Sequence, residues 1–311
     1  MLETYLYEPL NYEFFRHALW AAVLAGGLCG LMGVYIVLRG LSYIGHGLSH
    51  AAFGGAVIGY MIKLNFYFAA VITALGAAII VDKISDGRRI RADAAIGIVT
   101  TAIFALGIAI ISLGGNYSRS FEAALFGNIL GVSSDDLLLI SLSAFFCFSG
   151  VFIFYRQLLF IAFDEEAAQV FGINRRRIRL IFATLLALCV IASMNIVGVT
   201  MIAATLIIPA ASLRMLTNSF HRMIIFAPVL GAVIGVLGLF LSYHLDTASG
   251  ATIVLTGAAI FFLFWFLRLH RDRYRFHAHA HSHGAMVHVH AHTHDSDHNH
   301  PHSNAHASDQ E

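Results

Sequence analysis

The sequence predicts an all-α protein that crosses a membrane about eight or nine times. Hydrophobic residues make up 58% of the 311 residues. Charged residues make up only 12%, about half the share that is usual in soluble domains. Apolar stretches of about 17–25 residues, each long enough to span the hydrocarbon core, recur along the chain. A water-soluble core of this size could not cover so much apolar surface, so a soluble globular protein is excluded.

Nine apolar stretches are candidate spans. The second and seventh are short and interrupted by Gly or Pro, so the count is eight or nine. These spans define a transmembrane domain at 14–268, preceded by an N-terminal segment at 1–13 and followed by a tail at 269–311. The approximate spans are 14–38, 48–62, 66–82, 94–113, 136–156, 178–196, 199–214, 222–243 and 250–268.

The distribution of Lys and Arg predicts the orientation of the chain. The segments 83–91, 175–179 and 268–275 are rich in Arg and Lys, and we expect them in the cytoplasm. The segments 114–135 and 244–249 are poor in basic residues and fit the outside. With nine spans the N-terminus lies outside the cell and the C-terminal tail lies in the cytoplasm. With eight spans both termini lie on the same side, so one of these assignments fails. In that case we keep the assignment of the tail to the cytoplasm.

Two loop segments have structure of their own. Residues 121–131 form an apolar stretch too short to cross, which we expect at the outer interface. Residues 164–172 have the signals of a short cytoplasmic helix with a cap, acids in its first turn, an apolar stripe and a terminating glycine. Such a helix suits a soluble partner subunit, although an ordinary loop helix on the bilayer would look similar. The residues concerned are Asp164, Glu165, Glu166, Ala168, Phe171 and Gly172.

The one clear pair of ionisable residues in the first six spans lies where the second span opens. His46 and His50 are four residues apart, so a helix places both imidazoles on one face. Imidazole binds Zn, Cu, Ni and Fe, and serves Mn when oxygen ligands assist. Two ligands make a poor site, but a homodimer with this face on its two-fold axis would supply four. The alternative is two interfacial histidines bonded to carbonyls and water.

The C-terminal tail is rich in histidine: twelve of the 18 histidines lie between His277 and His306. They alternate with small residues, a period that cannot face one side of a helix, and the small and polar neighbours predict disorder. Such a tail binds Zn²⁺, Ni²⁺ or Cu²⁺ weakly at many sites, unless it has no function. The candidate tail ligands are His277, His279, His281, His283, His288, His290, His292 and His294.

Several functions lack support in the sequence. The cysteines Cys29, Cys147 and Cys189 lie in apolar runs and are interpreted as small buried hydrophobic residues. There is no G-x-x-x-x-G-K-[ST] phosphate loop, and neither protease motif nor basic nucleic-acid patch is present. We therefore expect a chain that is not itself an ATPase or a protease, has no tightly bound cofactor and does not bind nucleic acid.

Over nearly all of residues 12–268 the chain resembles the permease subunits of the zinc/manganese ABC importers. Several matching segments occur in the right order, which makes the likeness specific. They are LRGLSYIG at 38–45, LSHA at 48–51, DAAIGI at 93–98, FGNILGV at 126–132, FDE at 163–165 with GI at 172–173, VGV at 197–199 and PAA at 209–211.

The resemblance implies a homodimeric channel in the cell (inner) membrane, driven by two cytoplasmic ATPases and fed by a metal-binding protein outside. It also implies that 164–172 is the coupling helix that enters a groove of the ATPase. Family members typically place Asp and His in the metal pathway at the positions of His46 and His50. Here His46 replaces the Asp, which favours Zn²⁺ over Mn²⁺ as the transported ion. The Pro that usually follows is also replaced, by Phe53-Gly54-Gly55.

Two other functions remain as alternatives. A secondary zinc transporter that works without an ATPase would need several acid/histidine pairs on different spans, and one pair is visible. A membrane-bound metal sensor or scaffold, with the tail as its main part, would not explain the capped helix at 164–172.

Overall fold

The computed structural model describes residues 7–86, 90–114, 121–283 and 286–293, and these are almost entirely helical. The long helices are α1 (Glu13–Leu38), α2 (Ser42–Met61), α3 (Phe66–Asp86), α4 (Ala92–Gly114), α6 (Ser134–Ile153), α9 (Arg175–Val197), α10 (Ile202–Leu216), α11 (Phe220–Leu245) and α12 (Ser249–Arg275). The short ones are α5 (Phe121–Phe126), α7 (Tyr155–Phe163) and α8 (Glu165–Val170), with 3-10 turns at Pro9–Asn11 and Ile129–Gly131. Two strands follow, β1 (Phe276–His283) and β2 (Met286–Thr293).

Seven of the long helices are long and apolar enough to cross a membrane: α1, α3, α4, α6, α9, α11 and α12. This confirms a multi-pass, all-α membrane protein. The two long helices outside that group are α2 and α10, the second and seventh spans of the sequence. Helix α10 has only 15 residues and contains Pro209. The choice between eight and nine crossings stays a prediction.

The helix bounds differ from the predicted spans in two places that matter. Helix α2 begins at Ser42 rather than near residue 48, so His46 and His50 lie inside the helix. Helix α6 ends at Ile153, and α7 continues after a break at Phe154. At its other end α6 starts with a capping box between Ser133 and Asp136, which satisfies its first backbone N–H groups.

Helix α1 is the centre of the bundle and packs against α6, α9, α10 and most extensively α11. The α1/α11 contact is made by small residues. A Cβ added at Gly26 would overlap the carbonyl of Gly231, and one at Gly30 would overlap the carbonyl of Ala227. Small residues allow this close backbone approach, which replaces the hydrophobic driving force that is absent in lipid.

Helix α2 packs between α3 and α4, again through glycine. A Cβ at Gly54 would lie 2.5 Å from Ile103 O, and a Cβ at Gly107 would lie 2.8 Å from Gly54 Cα. The backbones of α2 and α4 therefore touch at this level. This crossing brings the α4 side chain Phe104 next to the histidine pair of α2.

The segment predicted at the outer interface is a short helix, α5, followed by an irregular turn. Its backbone bonds to the connection between α9 and α10: Val199 N donates to Ala124 O at 3.1 Å, and Thr200 N to Leu125 O at 3.3 Å. Gly127 and Gly198 adopt positive φ angles, 82° and 92°, at the point of closest approach. Irregular backbone in a membrane protein needs internal partners of this kind.

Directly after α12, residues 276–283 and 286–293 pair as the antiparallel strands β1 and β2, and the disorder predicted for the tail as a whole stays a prediction. The period of two that excludes a one-sided helix is also the period of a β-strand. Residues 294–311, and with them His294, lie outside the described part of the chain.

Replacing Gly107 by Ala should destabilise the protein, because the new methyl group meets the Gly54 backbone. We expect a loss of about 1–3 kcal/mol, as for other overpacked sites, measured as thermal unfolding in detergent. The control is Gly97→Ala on the same helix, where a Cβ meets nothing within 4 Å. Since Ala is the better helix former, that variant should melt at or above the wild-type temperature. Equal stability of the two variants would contradict the close α2/α4 crossing.

Candidate metal site and coupling surface

The two histidines of α2 form a compact pair. Their ring centroids are 4.2 Å apart with an interplanar angle of 49°, as the spacing of four residues predicts. His46 is exposed and His50 is half-buried. The pair therefore has an open side at His46 and a protein-covered side at His50.

The covered side is formed by α4. The Phe104 ring stacks on the His50 ring, with centroids 4.6 Å apart and planes 23° from parallel. The Nδ1 atom of His50 is buried and has no hydrogen-bond partner among the described residues. A buried nitrogen without a partner is costly, so a metal ion bound at this atom would remove a penalty.

A single chain does not complete a metal site. Among the described residues, no group of three or more His, Cys, Asp or Glu side chains is placed to hold a metal ion. Two imidazoles are fewer than the three or four protein ligands of most transition-metal sites. Further ligands could reach the pair from the exposed side of His46.

Ser49 joins the histidine-bearing turn of α2 to the irregular backbone that follows α9. Its hydroxyl is fully buried and lies 2.8 Å from His46 O and 3.1 Å from Val199 O. Val199 belongs to the same connection that bonds to Ala124 of the outer segment. A continuous polar path therefore leads from the outer segment to the residue next to His50.

At the predicted cytoplasmic side, α8 is built as the sequence predicts. Asp164 caps it by accepting hydrogen bonds from Glu166 N at 3.0 Å and Ala167 N at 2.8 Å. Glu165 and Glu166 occupy its first turn, where negative charge is favourable. Gly172 ends the segment with a φ of 77°, a left-handed conformation that favours glycine.

The apolar stripe assigned to this helix is split by the structure. Ala168 is fully buried, so it packs inside this chain and cannot contact a partner. Phe171 is 72% exposed and its neighbour Val170 is 86% exposed. Phe163, the last residue of the preceding helix α7, is 63% exposed as well. The sequence pattern missed Phe163 and Val170 because short helices show too few turns to separate their faces.

A cluster of four charged side chains joins α8 to three other parts of the bundle. Arg179 of α9 lies 3.1 Å from Asp82 of α3 and 3.7 Å from Glu165 of α8. Arg39, between α1 and α2, lies 4.0 Å from Glu165. Burial lowers the pKa of the Arg39 guanidinium, and the Glu165 carboxylate opposes that shift. These charges compensate one another in a half-buried setting, where ion pairs are stronger than on an open surface.

The cluster borders a cavity of about 850 Å³. Its other wall includes Ile44 and Leu48 of α2, which lie on a different face from the histidine pair. Helix α2 thus borders open space next to the ion pairs of α8. Room of this kind would let the two helices shift relative to each other without breaking close packing.

At the opposite end of α3 a hydrogen-bonded network around the Asp136 carboxylate joins three helices. Tyr67 Oη donates to Asp136 Oδ1 at 2.6 Å, and Asn195 Nδ2 donates to Tyr67 Oη at 2.6 Å. Asn195 also accepts, through its backbone carbonyl, a bond from Asn128 N in the outer segment. This network holds the N-terminal ends of α3 and α6 to the last turn of α9.

Sequence reasoning missed the supporting residues of the site. Nothing in the pattern pairs Phe104 with His50, or Asp82 with Arg179, because the partners are distant in the chain. For Ser49 the sequence could have predicted a hydrogen bond, since a polar residue in an apolar helix needs a hydrogen-bond partner. Of the eight tail histidines named above, seven lie in β1 and β2, far along the chain from the α2 pair.

Seven apolar helices long enough to cross a membrane, together with the capped helix α8, define a multi-pass membrane protein. The chain belongs to the ABC 3 transport family, whose profile matches residues 11–268. The resemblance to permeases of metal ABC importers is thereby confirmed.

Similar proteins have names that mention metals. The manganese transport system membrane protein MntC of Listeria innocua is 38% identical over 254 residues, covering 82% of this chain and 90% of that protein. The chelated iron transport system membrane protein YfeC of Yersinia pestis is 32% identical over 261 residues, covering 84% and 88%. The solved structure of PsaBC from Streptococcus pneumoniae in complex with Fab matches with a TM-score of 0.78 and 34% identity, covering 86% of this chain and 96% of that one.

Proposed function

We propose that this chain is the permease subunit of an ABC importer that carries Mn²⁺ across the cell membrane. It works as a homodimer, with ATP hydrolysis supplied by a separate cytoplasmic subunit and metal delivered by an extracellular binding protein. The tail lies in the cytoplasm. The observation that carries the proposal is the pair His46/His50 on α2, with rings 4.2 Å apart and one side open.

The open side of the pair supports the homodimer. One copy of α2 offers two imidazoles, and the described residues of the chain supply no further cluster of ligands. Two copies facing each other across a two-fold axis would bring four imidazoles together, enough to hold a divalent ion during passage. The four-histidine site would then form when the two α2 helices approach each other and open when they separate.

The names of the relatives support manganese. Relatives 37–38% identical are named as manganese transport proteins, and others at 32–33% as iron transport proteins. The preference for Zn²⁺ in the sequence analysis rests on His46 alone, and the manganese alternative fits the relatives better. An imidazole at this position is compatible with Mn²⁺ when water or carbonyl oxygens complete the shell.

The charged cluster offers a route from the ATPase to the metal site. A partner that binds the apolar surface of Phe163, Val170 and Phe171 would move α8, and Glu165 moves with it. Glu165 is paired with Arg39, three residues before the start of α2. A displacement of α8 would therefore be transmitted to α2, the helix that carries the histidines, through this charged contact rather than through a flexible loop.

A secondary transporter is the weaker alternative. It would need metal-binding groups on several spans of one chain, and the part of the chain that the structure describes holds no such group. The ABC 3 family match also favours a permease driven by a partner.

Replacing either histidine of the pair should abolish transport. We expect His46→Ala and His50→Ala each to lower the uptake of radioactive Mn²⁺ by native cells about tenfold or more, because each removes two ligands from the dimeric site. His221→Ala, an exposed histidine at the start of α11, is the matched control and should transport normally. Normal uptake in both α2 variants, at normal protein levels, would rule out the pair as the metal pathway.

Replacing His46 by Asp should shift the metal preference. The change puts the hard oxygen ligand of the family pattern back into the site, which favours Mn²⁺ over Zn²⁺. We expect the ratio of Mn²⁺ to Zn²⁺ uptake to rise about tenfold, measured in competition with both ions present. An unchanged ratio, with uptake intact, would mean that position 46 does not contact the ion.

Removing the exposed ring of Phe171 should uncouple the permease from its ATPase. We expect Phe171→Ala to weaken binding of the ATPase about tenfold, or 1.4 kcal/mol, because exposed aromatic anchors dominate interfaces. Copurification from native membranes and Mn²⁺ uptake both report this loss. The control is Leu64→Ala, a half-exposed apolar residue between α2 and α3, at the other end of the bundle. If Phe171→Ala binds and transports like the control, α8 is not the coupling surface.

A further inference from the structure

A second cavity, of about 670 Å³, lies between the end of α3 and the start of α9. Both helices are long and apolar enough to cross a membrane, and their ends line the same cavity, so these ends lie at one membrane surface. It is the side that the basic residues predict to be cytoplasmic. The end of α8 and the linker after it form a further wall, with Gln169, Gly172, Ile173 and Asn174.

Three basic side chains line this cavity. Lys83 belongs to the last turn of α3, and Arg175 and Arg176 begin α9. None of the three forms a hydrogen bond or ion pair through its side chain with another residue in the described ranges. Asp82 and Arg179 also line the cavity, but they lie 3.1 Å apart and pair with each other. The charge of the cavity is therefore positive.

Two of these charges are unfavourable for α9 itself. The N-terminus of a helix carries a partial positive charge, so acids are favoured and cations disfavoured in its first turn. The first turn of α9 contains no acid, and Arg175 and Arg176 occupy it instead. An anion bound beside them would offset both the repulsion between the two guanidinium groups and their repulsion by the helix dipole.

The wall of the cavity one turn deeper in the spans is apolar. Ile79 lies one turn before Lys83 in α3, and Leu180 lies one turn after Arg176 in α9. Both apolar side chains are exposed and line the cavity. Positive charge at the surface with exposed apolar groups beneath it complements a phospholipid, whose anionic headgroup is followed by an acyl chain. An acidic protein surface would complement the charge but not the apolar wall.

We propose that this cavity binds an anionic phospholipid, with its phosphate at Lys83, Arg175 and Arg176 and its acyl chain along Ile79 and Leu180. Basic pockets between transmembrane helices are suited to negatively charged lipid headgroups. The proposal goes beyond the transport function, because it concerns a lipid rather than the metal or its path. It does not depend on which ion the permease carries.

The experiment compares two double variants that each remove two positive charges. Lys83→Gln with Arg176→Gln removes two cations of the cavity. Arg177→Gln with Arg222→Gln is the control, because Arg177 and Arg222 are exposed at the starts of α9 and α11 and do not line the cavity. The delipidated full-length permease in detergent is titrated with fluorescent phosphatidylglycerol, which is anionic, and with zwitterionic phosphatidylcholine that has the same acyl chains. Copurification of the ATPase from native membranes is measured in parallel.

We expect the wild type to bind phosphatidylglycerol about tenfold more tightly than phosphatidylcholine, and the cavity variant to lose about tenfold in affinity for phosphatidylglycerol. The control variant should stay within about threefold of the wild type. A charge-preserving variant, Lys83→Arg with Arg176→Lys, should bind like the wild type, and thermal unfolding in detergent checks that each variant is folded. Inorganic phosphate at the same concentration should not displace the lipid, since it cannot contact Ile79 and Leu180.

Equal losses in the cavity variant and the control would overturn the proposal, since charge alone would then attract the lipid. Displacement by inorganic phosphate would also overturn it, because the cavity would then be a general anion site. So would normal lipid binding together with weaker copurification of the ATPase, which would mean that the cations contact the partner protein. None of these results bears on the metal site. Conversely, normal Mn²⁺ uptake after loss of His46 and His50 would refute the transport site without changing the lipid affinities.

Discussion

The contact of bare backbone between α2 and α4 is the constraint on which the candidate site depends. Gly54 and Gly107 let the two helices approach so closely that no side chain fits between them. Because the helices touch there, the Phe104 ring reaches His50 and covers one side of the histidine pair. The other side stays open at His46. A membrane offers no hydrophobic force between helices, so close packing of small residues has to hold this arrangement together.

Polar contacts then attach α2 to the rest of the bundle at two levels. Near its start, Arg39 pairs with Glu165 of α8, in a cluster with Arg179 and Asp82. Further along, Ser49 bonds to Val199, whose connection is itself bonded to the outer segment. The helix with the histidines is therefore linked to both ends of the molecule, next to a cavity into which side chains can move.

Much of the fold could be predicted because few backbone structures can span a lipid bilayer. Apolar length predicted all nine long helices, and local capping signals predicted α8 with Asp164 at its start and Gly172 at its end. Contacts between residues distant in the chain could not be predicted in this way. Nothing in the sequence around His50 indicates its contact with Phe104, and nothing around Glu165 indicates its contact with Arg39.

The amino-acid sequence alone was enough for the membrane class, the helices and the spacing that stacks His46 on His50. These properties are local, because hydrophobic length, caps and helical periodicity act within one segment. Which face of the pair is covered and which residues of α8 are exposed were decided only by the folded chain. Those properties depend on contacts between distant segments, and such contacts exist only once the helices and strands have packed.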